Sequence, residues 1–146
     1  MELSLALTLP RDEQTVPVAR HIVRNAMEQV GVEKTCVYDV ELALSEACTN
    51  VLLHSGPGDQ FVVRLDLEEG LGVLRIIDLG SGFDSARLEA TDDLVEAERG
   101  RGLGVMQAVV DRVDLTSRSE AGTIVTLEKV LTYTDEALLA GRGKQV

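Results

Sequence analysis

The chain opens on Leu3-Ser4-Leu5-Ala6-Leu7-Thr8-Leu9, apolar at every second position, and Pro10 ends the run. Side chains on a strand alternate between its faces, so this spacing predicts a half-buried strand. The period then lengthens. Ala19, Ile22, Val23, Ala26 and Val30 recur at helical spacing, with Thr15 expected as the cap, Pro17 in the first turn and Gly31 as the stop. Arg20 and Arg24 lie one turn apart and are expected on the side away from that stripe. Val40, Leu44, Ala47 and Val51 predict a second helix from about Glu33 to His54. After Ser55-Gly56-Pro57-Gly58 the period returns to two. Phe61, Val63, Leu65 and Leu67 face one way, Glu68-Glu69-Gly70 turns the chain, and Val73 to Ile77 reads as the returning strand of a hairpin.

Gly80 to Gly104 is polar, acidic and punctuated by glycine, the kind of long internal segment that is either a functional lid or disordered. Beyond it, Leu103 to Val110 predicts a short helix. Arg112 to Ser117 and Thr123 to Val130 predict two last strands around Glu120-Ala121-Gly122. The expected architecture is a two-layer α/β sandwich, a mixed and mostly antiparallel sheet with helices on one face. One domain is expected over 1–132, with 133–146 as a flexible tail that carries a weak Ala/Leu helix and a Gly-Arg-Gly-Lys end.

Composition narrows what this domain can do. At 146 residues, with 45% hydrophobic and 27% charged positions, it can bury a core without disulfides. Aromatics make up 3% and Trp is absent, which disfavours a base-stacking surface. The 25 acidic and 14 basic side chains leave a formal charge of -11, against direct contact with nucleic acid. No apolar stretch approaches the length of a spanning helix and the start is not a signal peptide, so no membrane role and a cytoplasmic location are expected. Cys36 and Cys48 fit reduced thiols packed in a core.

Three motifs carry candidate chemistry. Glu46 and Asn50 are four residues apart on the second helix, with His54 a further turn along. That polar line runs beside the apolar stripe, at the edge of the core, where it forms either an exposed face or one wall of a cleft. Asp78-Leu79-Gly80-Ser81-Gly82-Phe83 follows the most apolar strand. A buried carboxylate there needs a donor, which an adenine amine would supply and a guanine carbonyl would not; a tight turn with a capping Asp is the other reading. Gly100-Arg101-Gly102-Leu103-Gly104 precedes a helix and is either an anion site or a hinge. It lacks the ending of a P-loop and the spacing of a dinucleotide fingerprint.

In order and spacing, the run Glu46 to His54, then Asp78-x-Gly80-x-Gly82-Phe83, then Gly100-x-Gly102-Leu103-Gly104 resembles the N, G1 and G2 boxes of the GHKL superfamily, whose ATP-binding domain is the Bergerat fold. Gly122-Thr123 matches the Gly-Thr that closes the adenine pocket there. Within that superfamily the short chain is similar to the bacterial anti-sigma-factor serine kinases of the RsbW/SpoIIAB type. The resemblance covers about residues 3 to 130, including the Ala19-Arg20 step.

The resemblance implies ATP or ADP as ligand, with Asn50 on Mg²⁺ through its amide oxygen and Glu46 accepting the proton of an attacking serine hydroxyl or orienting a water. Asp78 would hold the adenine amine, with Thr123 beside it. Gly80, Gly82, Gly102, Leu103 and Gly104 would bring backbone amides to the nucleotide, residues 85–101 would be the lid, and Arg101 or Arg99 would offset phosphate charge. The acidic lid lacks the Thr-Lys segment of some relatives, and His54 is followed by Ser55-Gly56 rather than a small-aromatic pair. Arg20 is implied on the surface that meets a sigma factor and its antagonist; a homodimer stays open. The implied function is a kinase that phosphorylates a serine of that antagonist and sequesters the sigma factor. The alternative is a non-catalytic, nucleotide-gated binding module, against which an intact Glu46 counts. A sensor kinase or a gyrase-like ATPase would need a further domain.

Overall fold

Pro10, Glu68 and Val130 end three of five strands that form one sheet. The strands are β1 (Leu3–Pro10), β2 (Gln60–Glu68), β3 (Leu71–Asp78), β4 (Arg112–Arg118) and β5 (Gly122–Val130), in the order β1-β2-β3-β5-β4. The computed structural model describes residues 2–54, 60–78, 103–118 and 122–137, without the side chains of 53, 54, 117 and 118. All four strand pairings are antiparallel, so the mixed and mostly antiparallel sheet expected from the sequence is antiparallel throughout its described strands. Short connections between consecutive strands account for two of these pairings, β2–β3 and β4–β5.

The alternation read from the sequence sets the two faces. Phe61, Val63, Leu65 and Leu67 of β2 are buried, as are Leu74 and Ile76 of β3 and Val125 and Leu127 of β5. Their neighbours on each strand, such as Arg64, Arg75 and Thr126, share a row on the other face, which no described helix covers. Over the inner face lie α1 (Thr15–Gln29) and α2 (Lys34–His54), α1 against β1 and α2 across β3 and β5. Ala19 and Val23 of α1 are fully buried as expected, and Met27 extends that stripe. A third helix, α3, spans 103–109 and buries Met106. Cys36 and Cys48 are free and buried. Burial pushes the Cys48 thiol up to about 12 and raises that of Cys36.

One end of α1 differs from a simple reading of the sequence. The cap of α1 is Gln14, without a side-chain bond, and Thr15 is the first helical residue. Its hydroxyl finds nearer acceptors behind it, donating to Asp12 O at 2.7 Å and Pro10 O at 3.1 Å. At the other end Gly31 does stop α1. Its φ of +86° is left-handed backbone, and Val32 N donates to Met27 O while Gly31 N donates to Glu28 O, a Schellman closure. A Cβ on Gly31 would collide with Ala137. The segment after β5 therefore sits on this turn: Thr134 N donates to Gly31 O at 2.8 Å, and Gly70 N donates to the Tyr133 hydroxyl at 3.3 Å. Residues 138–146 lie outside the described residues.

Candidate functional site

α1 meets one flank of α2. Arg24 Nε lies 3.4 Å from Glu41 Oε1, and Arg20 Nη1 donates weakly to Ser45 Oγ at 3.5 Å. The two arginines thus border the apolar stripe of α1 on its α2 side rather than pointing away from it. They follow Ala19 and Val23 by one position each, which turns them only part of the way round the helix. Arg20 stays exposed.

Glu46 and Asn50 fall on the opposite flank of α2, in line with Asp39, at roughly 3.6 residues per turn. Both are half-buried, as a position beside the apolar stripe requires. Asn50 Nδ2 is buried and has no hydrogen-bond partner among the described residues. This flank is closed at one end by Lys129, whose Nζ contacts Asp39 Oδ2 at 3.3 Å and donates to Val109 O at 2.7 Å. One ammonium therefore ties the last turn of α3 to the side of α2 that carries Glu46 and Asn50.

Asp78 ends β3 on the inner face, two residues after the buried Ile76, and is 0% exposed. Its partners across the sheet are Phe61 on one side and Thr123 on the other, with Thr123 8% exposed. This register row continues through Leu9 of β1, one residue before Pro10. Arg11 follows, and its Nη2 donates to Val51 O at 3.3 Å and Leu52 O at 3.2 Å. Those are the two residues after Asn50. The row that holds Asp78 and the turn that holds Asn50 thus lie at the same end of the domain.

Gly104, in the first turn of α3, is exposed, and a Cβ there would have no described atom within 4 Å. Leu103 begins that helix, half-buried. Gly80, Gly82, Arg99, Arg101 and Gly102, the 85–101 segment and the His54 side chain lie outside the described residues. No group of three or more His, Cys, Asp or Glu side chains gathers among the described residues. No described helix is long and apolar enough to cross a membrane.

Sequence reasoning passed over Arg11, Asp39 and Lys129. Lys129 carried a signal, since it takes the inward position after Val125 and Leu127, where an apolar residue is expected. Arg11 carried none.

The family described as the histidine kinase-like ATPase domain matches residues 9–129. The chain is 32% identical over 126 residues to an anti-sigma F factor of Bacillus cytotoxicus, covering 82% of this chain and 86% of that one. It is 23% identical over 137 residues to the serine-protein kinase RsbW of Halalkalibacterium halodurans, covering 88% and 83%. In fold it is similar to the crystal structure of the RsbU and RsbW domains of a Mycobacterium tuberculosis protein, with a TM-score of 0.70 at 21% identity. That match covers 90% of this chain and 33% of the other, so this chain spans about a third of that protein's length.

Proposed function

The chain belongs to the histidine kinase-like ATPase family, with anti-sigma F factor and RsbW serine kinases among its relatives, and from that premise we propose that it is an ATP-dependent serine-protein kinase and anti-sigma factor. Its substrate would be a serine of an anti-sigma-factor antagonist, and its second partner a sigma factor.

The observation that carries this reading is the buried amide nitrogen of Asn50, without a partner among the described residues, beside the half-buried Glu46 carboxylate. A buried N–H without an acceptor is costly, and a bound phosphate oxygen would relieve it. The oxygen of the same amide suits a hard cation, so the side chain fits a Mg²⁺–triphosphate. When bound, Mg²⁺ would supply positive charge against the triphosphate. Glu46, one turn away, would take the proton of the serine hydroxyl as its oxygen attacks the γ-phosphorus and ADP leaves. Asp78, wholly withdrawn from water, would accept from an exocyclic amine, with Thr123 opposite it in the register. That acceptor favours adenine over guanine. Arg101 and the Gly80, Gly82, Gly102, Leu103 and Gly104 backbone would complete the phosphate side, as in the family, and Arg20 would meet the protein partners.

The test is incubation of the full chain and its co-purified partners with ATP labelled in the γ-phosphate. Label on a partner serine, lost with Glu46→Gln, is the expected result. ATP binding without any transfer would instead make this a nucleotide-gated binding module.

A further inference from the structure

Arg11 reaches forty residues along the sequence to the last turn of α2. The last four carbonyls of a helix lack partners within it, and for α2 these belong to residues 51–54. Arg11 Nη2 donates to the first two, Val51 O at 3.3 Å and Leu52 O at 3.2 Å. A cation there also meets the negative end of the helix dipole.

The origin of this contact matters more than its strength. Arg11 follows Pro10, whose ring restricts φ, and Pro10 is still in register with Gln60 at the edge of the sheet. The adjacent register row is Leu9–Phe61–Asp78–Thr123. The guanidinium therefore spans from the sheet end that holds Asp78 to the helical turn that begins one residue after Asn50. We propose that Arg11 is a positioning residue for the nucleotide site. It holds the Asn50 turn at a set distance from Asp78, so that one ligand can engage both the amine-accepting carboxylate and the phosphate-facing amide. This rests on the nucleotide reading of Asn50 and Asp78.

Both bonds come from one terminal nitrogen, whose planar N–H pair faces the two carbonyls, and a guanidinium carries that nitrogen further from the backbone than a lysine carries its ammonium. Residues that orient a ligating side chain typically cost about 10–100-fold in affinity or activity when replaced.

The experiment is calorimetric titration of the full chain with ATP, in Mg²⁺ and in EDTA, for wild type, Arg11→Met and Arg11→Lys, well below each melting temperature. Expected is a loss of at least roughly tenfold for Arg11→Met in Mg²⁺, a smaller loss in EDTA, and Arg11→Lys in between. A lower melting temperature with unchanged Mg²⁺–ATP affinity would make Arg11 a stabiliser only and overturn the proposal. So would an equal loss with and without Mg²⁺, because the effect would then not pass through the cation that the Asn50 amide oxygen is read to hold. Should Arg11→Met not fold, Arg11→Lys decides: weaker Mg²⁺–ATP binding than wild type supports the assignment, and equal binding ends it. Wild type that binds no ATP would remove the nucleotide reading itself, a different outcome from wild type that binds with Arg11→Met unaffected.

Discussion

Gly104→Ala should make the protein more stable and worse at binding ATP. Glycine inside a helix costs about 0.5–1 kcal/mol relative to alanine, because it loses more backbone freedom on folding. A Cβ on Gly104 meets no described atom within 4 Å, so no crowding offsets that gain. The residue lies in the first turn of α3, so the smaller figure applies, about 0.5 kcal/mol. For a chain of this size a kilocalorie moves the melting temperature by roughly 2–4 °C, which gives a rise of about 1–2 °C. If the nucleotide backbone occupies the space in front of Gly104, the same methyl group intrudes on it. Overpacking of that kind costs about 1–3 kcal/mol, or five- to more than a hundredfold in affinity. Thermal melts of the apo protein give the first quantity and calorimetric titration with Mg²⁺–ATP the second. A raised melting temperature with unaltered ATP affinity would mean that the open space faces only solvent and would refute the placement of the ligand there. A lowered melting temperature would refute the steric argument itself.

Glu46→Gln should bind ATP as wild type does yet transfer phosphate about 10²–10⁴-fold more slowly, read by γ-labelled ATP with partner protein. Asp78→Asn turns an acceptor-only carboxylate into a group that also donates, and should cost about 1–3 kcal/mol of ATP affinity while narrowing the preference over GTP; equal ATP and GTP affinity in wild type would dismiss the role. Arg20→Glu, on an exposed side chain with one long contact to Ser45, should leave the melting temperature and ATP affinity intact but weaken partner binding by at least roughly tenfold in pull-down titrations. Asp66 accepts from Ser4 Oγ at 2.6 Å and from Arg64 Nε at 3.0 Å, and lies 3.4 Å from Arg75. The Ser4 bond, then the arginines, hold its carboxyl below the usual carboxylate range. A depressed folded value stabilises above the unfolded value, near 3.9, and the gain is lost as pH falls through the folded one. Asp66→Asn should therefore lower denaturant stability at pH 7, and the gap should close below about pH 4; a gap independent of pH would show that the ionised carboxyl contributes nothing.

Much of the domain was legible because period is a local property. A residue on a strand changes face at every step, so Phe61, Val63, Leu65 and Leu67 declared one buried face before any partner strand was known. Val40, Leu44, Ala47 and Val51 did the same for α2, and from that stripe the half-buried setting of Glu46 and Asn50 followed. The glycine and carboxylate spacing that marked the family is also local. What spacing leaves open is which surface covers a given face. Nothing in β4 or β5 alone states that β5 inserts beside β3 and leaves β4 at the edge, yet that order sets Thr123 opposite Asp78. Nor does α1 state which neighbour its flank will meet, so Arg20 and Arg24 were expected on the side away from the apolar stripe and instead border α2, with Arg20 still exposed. Arg11 and Lys129 are the extreme cases. Each satisfies a helix-terminal carbonyl contributed by a distant part of the chain, at Val51 and Val109. An unpaired carbonyl is a property of every helix end and carries no side-chain code, so only packing of the finished domain could decide which cation reaches it.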